Sequence, residues 1–410
     1  MANQLLTISM ITREAMRILE NNLTFTKYVR RDFDSQYGQA GAKIGTVLNI
    51  RKPPRYVGRV GQGLALEDAT ETSVPLVLTT QRGVDIAFTS QDLTLSIDDF
   101  SDRFIRPAAA NVANAIDFDG MGQYANVYNV IGTPGTVPNA LLTYLQSGQR
   151  LDEEACPRDN QRSLVISPAM QATIIDTLKG LFHSSTEIEQ QYREGTMGMS
   201  IGYKWSMDQN VRTHVVGALG GTPNIAAVPA SGATTLSTTG WTASVGAVKR
   251  GDVFTIGGGG TTPINAVNPQ NKQNTGALRQ FVVQADATAD AGGNMTISIL
   301  PAFTTTGPFQ TVTQLPVTGT VNGALTFFGT AGASSPQGLA FHKDAFAMGC
   351  ADLVLPQNVD MAGRVNDKQL GMSIRLVRAY DINTDRFPTR LDVLYGWATL
   401  YSELACRVAS

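Results

Sequence analysis

The 410-residue chain is poor in the side chains that most chemistry needs. Its 3 cysteines, Cys156, Cys350 and Cys406, stand far apart without a CxxC pair, and its 3 histidines, His183, His214 and His342, are equally scattered. That spacing excludes a disulfide framework, reads as reduced thiols, and offers no zinc-ligand pattern. Charged residues make up 16% of the chain, and a net charge of −2 gives no whole-chain reason to grip nucleic acid, since phosphate binding needs clustered Lys and Arg. No apolar run approaches the roughly 20 residues of a membrane span. The opening MANQLLTISMITREAMRILENN carries Arg13, Glu14 and Arg17 where a signal peptide needs an unbroken apolar core. The sequence therefore predicts a chain that is soluble and intracellular at synthesis, with no membrane partner.

Catalytic signatures are equally scarce. GxSxG, HExxH and Walker-type GxxxxGK[ST] are absent. His342, Asp344 and Cys350 in FHKDAFAMGC come nearest to a triad, but on a helix His342 and Cys350 stand about two turns apart, beyond hydrogen-bond reach. The acid pairs Asp98-Asp99 and Asp117/Asp119 have no His or Glu at ligand spacing. The expectation is a protein without enzymatic activity, cofactor or metal.

What is present is organised. An apolar fraction of 42% can fill sizeable cores, the length predicts two or three domains, and 40 glycines predict many turns. Residues 7–21 read as an amphipathic helix, with Thr7 as cap and Ile8, Ile11, Ala15, Ile18 and Leu19 on one face. From about Gly45 the period changes to that of strands: VLNI, then SVPLVL and VDIAF. Between them RKPPRYVGRVGQGLALEDATET is too rich in Gly and Pro for a helix and predicts a long two-stranded excursion. Its charges are segregated, Arg51, Lys52, Arg55 and Arg59 on the outward limb and Glu67, Asp68 and Glu71 on the return. Loops this long usually have a task, and a polarised one suits a partner of matching polarity.

A helical stretch follows from Ser96, with Ser96 and Asp99 as a capping pair, Pro107 as a kink or first-turn residue, and Ala108, Val112, Ala115, Ile116 and Asp119 at helical spacing. Residues 138–212 read as mixed α/β: a helix from Leu141, a buried strand LVI at 164–166, and a helix begun by Ser167-Pro168 with Met170, Ile174, Leu178 and Leu181 on one face. Thr186 and Glu189 form a capping box for a further short helix, and TMGMSIGYKWSM reads as packing material. From about Gly217 to Ser335 the composition becomes Thr, Gly, Ala, Val and Asn. The strand candidates ATTLST, DVFTI, QFVVQA, NMTISIL, TVTQL and ALTFF recur between turns, the pattern of an all-β barrel or sandwich, with Pro301 marking a strand end. Helical and α/β text resumes with FHKDAFAMGCADLVLP, and then the strands SIRLVRAYDI and RLDVLYGWATLYSEL. Within the β-rich text, KRGDVFTIGGGG invites readings as an adhesive RGD or a phosphate loop. Thr261-Thr262-Pro263 after the glycines is no helix start, and the stretch reads best as a turn in which Asp252 bonds backbone amides before a strand.

Laid out in this order, TTQRGVDIAFTSQDLTLSIDDFSDRFIRPAAANVANAID, YREGTMG, GWTASVGAVKRGDVFTIGG, NPQNKQNTGALRQFVVQADAT with ISILPAF, and LAFHKDAFAMGCADLVLP resemble the major capsid proteins of tailed double-stranded DNA bacteriophages. This is the HK-ninety-seven-type fold, and more narrowly its P-twenty-two-like subfamily with an inserted β-barrel. The resemblance spans nearly the whole chain. It implies an α+β phage major-capsid fold: an N-terminal arm (1–40), an extended β loop with its return strands (41–95), a peripheral domain with a spine helix and the start of an axial domain (96–216), an inserted all-β domain (217–335), and completion of the axial and peripheral parts (336–410). It implies a structural virion protein that self-assembles, as hexamers and pentamers, into an icosahedral shell around packaged DNA after assembly in the host cytoplasm. Scaffolding protein, portal and a decoration protein are the implied partners. No crosslinking Lys–Asn pair can be placed. The candidate contact residues are Arg51, Lys52, Arg55, Arg59, Glu67, Asp68 and Glu71 of the loop and Ile8, Ile11 and Ile18 of the arm. Two rival readings are an encapsulin-like compartment, which usually lacks a long β insertion, and a β-rich adhesive or carbohydrate-binding surface protein.

Overall fold

The strongly alternating stretch RFPTRLDVLYGWAT becomes the strand Arg386–Thr399, the axis of a five-stranded antiparallel sheet. The structure is a computed structural model that describes residues 15, 23–32, 47–59, 61–64, 66–89, 106–178, 198–257, 263–316, 323–367 and 372–410. The expected arm helix with Ile8, Ile11 and Ile18, both capping pairs and YREGTM of YREGTMG lie outside those residues; of the arm helix Ala15 alone is described, helical and buried. The chain divides into two units: Met1–Ile50 with Ser73–Gly120 and Phe346–Leu400, and Arg51–Thr72 with Met121–Ala345 and Tyr401–Ser410.

In the first unit, Thr80–Thr89 runs along Arg386–Thr399 in a register that sets Phe88 opposite Phe387 and Val84 opposite Leu391. Phe346–Ala351, Met372–Arg378 and Met361–Asp367 complete the sheet. Helix α1 (Arg106–Met121) carries Pro107 in its first turn and buries Ala109, Val112, Ala113 and Ile116 at helical spacing. The acids that follow serve structure. Asp117 accepts from the backbone N–H groups of Thr24, Phe25 and Thr26, at 2.5, 3.3 and 3.0 Å, and so caps the short 3-10 turn Phe25–Tyr28. Asp119 accepts from Arg82 and, at 2.7 Å, from the Tyr395 hydroxyl, which ties the helix to the sheet.

In the second unit a mixed sheet runs in the order Val130–Gly132, Ala405–Ala409, Ser334–His342, Arg162–Ile166, Tyr203–Met207, Met199–Ser200. All five residues of Arg162–Ile166 are buried: Leu164, Val165 and Ile166 as the apolar run of a strand covered on both faces, and Arg162 by bonding the Pro157 and Cys156 carbonyls and Asp152. Helices α2 (Leu141–Glu153) and α3 (Pro168–Leu178) supply Tyr144, Leu151, Met170 and Ile174 to the core formed with Leu164, Ile166, Ala340 and Val408. Ser167 Oγ accepts from the Met170 N–H at 3.4 Å, with Pro168 as first helical residue, as the Ser-Pro pair predicts.

Between Val215 and Ser334 the β-rich text forms a six-stranded sheet, in the order Leu325–Phe327, Val253–Ile256, Gln280–Val283, Met295–Phe303, Ala233–Trp241, Gly221–Ile225, beside two small two-stranded ladders, Ala247–Val248 with Ala287–Thr288 and Asn265–Val267 with Asn274–Leu278. A bridge from Asn224 to Ala324 joins the two outermost strands, so the sheet closes into a barrel. Leu236, Phe254, Ile256, Phe281, Val283, Ile297 and Phe303 fill it, with the Phe281 and Phe303 rings 4.6 Å apart.

Four local expectations differ from the structure. FHKDAFAMGC is not helical: it is the end of one strand, a 3-10 turn Lys343–Ala345, and the strand Phe346–Ala351. His342 and Cys350 are nonetheless committed to separate partners, His342 Nε2 to Asp159 at 3.1 Å and Cys350 Sγ to the Ser373 N–H at 3.3 Å. Pro301 lies inside Met295–Phe303 instead of ending it; neither neighbouring ladder pairs Pro301, and the register shifts opposite Ala233 and Thr235. TVTQL forms only a bridge, Val312 to Ala266. In the Met-rich piece, Tyr203 and Trp205 take the buried strand positions, while Met199 and Met207, at strand margins, stay exposed.

Candidate functional site

Val47–Lys52 and Thr72–Val77, the strands expected on either side, pair as a two-stranded ladder, but the described residues between them carry no strand: the excursion expected to be two-stranded is an irregular loop, because its Gly and Pro residues break ladder pairing. Its charges are largely used within the chain. Arg51 reaches Glu71 across the ladder at 3.8 Å, both side chains being exposed. Arg55 pairs with Glu403 and lies over the Phe309 ring. Lys52 sits 4.7 Å above the Tyr401 ring, and burial pulls its ammonium below the usual lysine range against the opposing pull of Glu403. Glu67 spans the two limbs: its carboxylate accepts from the N–H groups of Val57 and Gly58 at 2.8 and 2.7 Å. Arg59 donates to the Gly61 carbonyl. Asp68 is exposed and has no partner among the described residues.

Beyond this fastened base the excursion presents apolar side chains to solvent. Leu64 is 82% and Leu66 88% exposed, with Tyr56 and Val57 more than half exposed. These four apolar side chains all stand on the one loop. Sequence reasoning followed the charges and missed the leucines; GLALE, alternating apolar residues between acidic and glycine-rich flanks, was the available signal. It also missed Tyr401, Glu403 and Phe309, whose positions no local pattern betrays.

The RGD turn is a structural hub. Asp252 is 1% exposed; its carboxylate accepts from the Lys249 N–H at 2.7 Å and the Gly217 N–H at 3.1 Å, and lies 2.8 Å from His214 Nε2. Gly251 has φ +99°, and a Cβ there would stand 3.2 Å from the His214 ring. The Gly251 carbonyl accepts from Arg407 Nη1 at 2.8 Å, and the Arg250 N–H donates to Asp286 at 2.7 Å. An adhesive RGD needs an exposed carboxylate, and this one is enclosed. Close by, Arg279 meets Glu154 at 2.6 Å with both side chains buried, and stacks 4.3 Å from the Tyr128 ring. Burial pushes the Glu154 carboxyl above the usual carboxylate range, against the pull of Arg279.

Among the described residues no three His, Cys, Asp or Glu side chains converge as for a metal, and no helix is long and apolar enough to cross a membrane. All three cysteines are buried, and burial pushes the thiols of Cys156 and Cys406 up to about 11 and about 12.

No curated protein matches the chain in sequence. Among solved structures it is similar to one from Mycobacterium phage Che8 (11% identity, TM-score 0.47, covering 94% of this chain and 90% of that one). It is also similar to the capsid of cyanophage P-SCSP1u (9% identity, TM-score 0.45, 94% and 87%) and that of Ralstonia phage GP4 (6% identity, TM-score 0.45, 93% and 91%). The decisive match is the family model for P22 coat protein, gene protein 5, which covers residues 1–406. The chain belongs to the P22 coat protein family: it has the α+β capsid fold, is not an enzyme, and is a bacteriophage major capsid protein that self-assembles into the icosahedral shell of the virion.

Proposed function

We propose that residues 53–71 are the surface by which one subunit holds the next in the shell, and that Leu64 and Leu66 are its main contact. The observation that supports this is their exposure on a loop whose base is fastened to its own subunit by Arg55–Glu403 and Lys52–Tyr401. In a ring of identical subunits one surface meets a different surface of its neighbour, so a projecting apolar loop suits such a heterologous contact. Arg59 and Asp68 would steer it, and Arg51, Glu71 and Glu67 shape the loop rather than bridge subunits. The test is the Leu64→Asp/Leu66→Asp variant, examined by sedimentation and electron microscopy. Folded subunits that fail to close shells are expected; shells of normal size and yield would overturn the proposal.

The finer organisation belongs to the same reading. Residues 1–40 act as an arm whose Ile8, Ile11 and Ile18 pack on a neighbour or on scaffolding protein; 41–95, 96–216, 217–335 and 336–410 are the extended loop, the peripheral part with the start of the axial part, the inserted barrel, and the completion of the body. Hexamers and pentamers form in the host cytoplasm with scaffolding protein and portal, a decoration protein can join outside, and packaged DNA lies within without specific contacts. The amphipathic spacing of the arm and the low net charge of −2 support these assignments. Deleting residues 2–20 should give misassembled or open particles; closed particles of correct size would remove the arm from assembly.

A further inference from the structure

The strand Val130–Gly132 is the outermost of its sheet and pairs, in parallel, only with Ala405–Ala409 among the described residues. In that pairing Arg407 is set beside Val130, and its N–H donates to the Asn129 carbonyl at 2.8 Å. A parallel ladder is built by the residues flanking the paired one, so the N–H and C=O of Val130 point to the open side. An open strand edge of this kind is a template for another chain.

Here the template is occupied by a side chain. The Val130 N–H donates to Gln280 Oε1 at 2.8 Å, and Gln280 Nε2 donates to the Val130 carbonyl at 2.9 Å. This two-bond ring is what a neighbouring strand would make. Gln280 is the first residue of a barrel strand, and its backbone is already paired inside the barrel opposite Thr255. Val253 and Val282 of the barrel pack with Val130, Tyr128 and Ala409, which closes the edge to water. Arg250 Nη2 donates to Asn126 at 3.0 Å and extends the seam.

We infer that the inserted barrel acts in cis as the missing strand of this sheet. Its Gln280 carboxamide holds the edge at Val130 and blocks pairing there with a strand from a second copy of the chain. The barrel would thus protect the subunit from edge-to-edge aggregation, a task separate from any contact it makes in the shell.

The test uses full-length Gln280→Leu, which keeps the side chain's size and removes both bonds, with Gln310→Leu as control, since the Gln310 carboxamide donates to the Val312 carbonyl within the barrel. Hydrogen exchange at the Val130 amide should quicken about tenfold or more, as for loss of a protecting bond worth about 1.4 kcal/mol. The amides of Val282 and Ile297 should keep their protection, and refolding should divert subunits into β-rich aggregates that are not shells. Gln310→Leu should do neither. Unchanged exchange at Val130 and an undiminished yield of soluble subunit would overturn the inference. So would equal losses in the control or matching deprotection of the barrel amides, which would reduce the contact to general stability.

Discussion

Asp252 answers, at the scale of one residue, what the RGD tripeptide is for. Its carboxylate ends two backbone N–H groups and faces a histidine in a buried turn, so it closes the turn and is out of reach of any receptor. Removing it leaves buried donors without acceptors, each at about 1–3 kcal/mol. Asp252→Ala is therefore expected to lose about 2–4 kcal/mol of stability, read from the shift of a urea unfolding midpoint. A midpoint unchanged from wild type would contradict the hub. The same residue type in the exposed loop, Asp68, has no such partners among the described residues, and the difference lies in burial.

At the scale of elements, the barrel is fixed to its body by side chains that would be costly to strand. Glu154 follows α2 and Arg279 leads into the strand Gln280–Val283, and the pair is shielded from water. Breaking a buried pair from one side costs about 3–5 kcal/mol, because the remaining charge is uncompensated, whereas replacing both partners with apolar side chains is often nearly neutral. Glu154→Ala should lower stability by that amount, and Glu154→Leu/Arg279→Met should recover most of it. Calorimetry of the three proteins measures both. If the double variant is as damaged as the single, the pair has a role beyond mutual neutralisation.

For the whole molecule, the question is what holds subunit to subunit. Exposed ion pairs contribute about 0–1 kcal/mol and fade as salt shortens the Debye length to about 3 Å at 1 M. Fully burying a leucine contributes about 1.5–3 kcal/mol and does not fade. With most loop charges engaged in their own chain, shell formation by purified subunits should survive about 1 M salt. Light scattering and electron microscopy would read this. Steep dissolution with added salt would return the contact to Arg59, Asp68 and their neighbours.

Much was legible from periodicity. The sequence by itself determined the helix at Leu141, the Ser-Pro start of α3, the buried LVI strand, the strands flanking 53–71 and the β-rich insertion, because each depends on spacing and turn chemistry along a short stretch. It also carried the resemblance on which the family match agrees. FHKDAFAMGC misled because a short apolar run fits strand and helix alike, and only pairing with Arg386–Thr399 made its second half a strand. Which charge meets which was beyond the sequence altogether. Arg55 and Glu403, Glu154 and Arg279, and Gln280 and Val130 are separated by long stretches of chain. Their meeting is set by the closure of the barrel and the stacking of sheet strands, and burial then decides whether a charged side chain is a clasp within one subunit or a handle for the next.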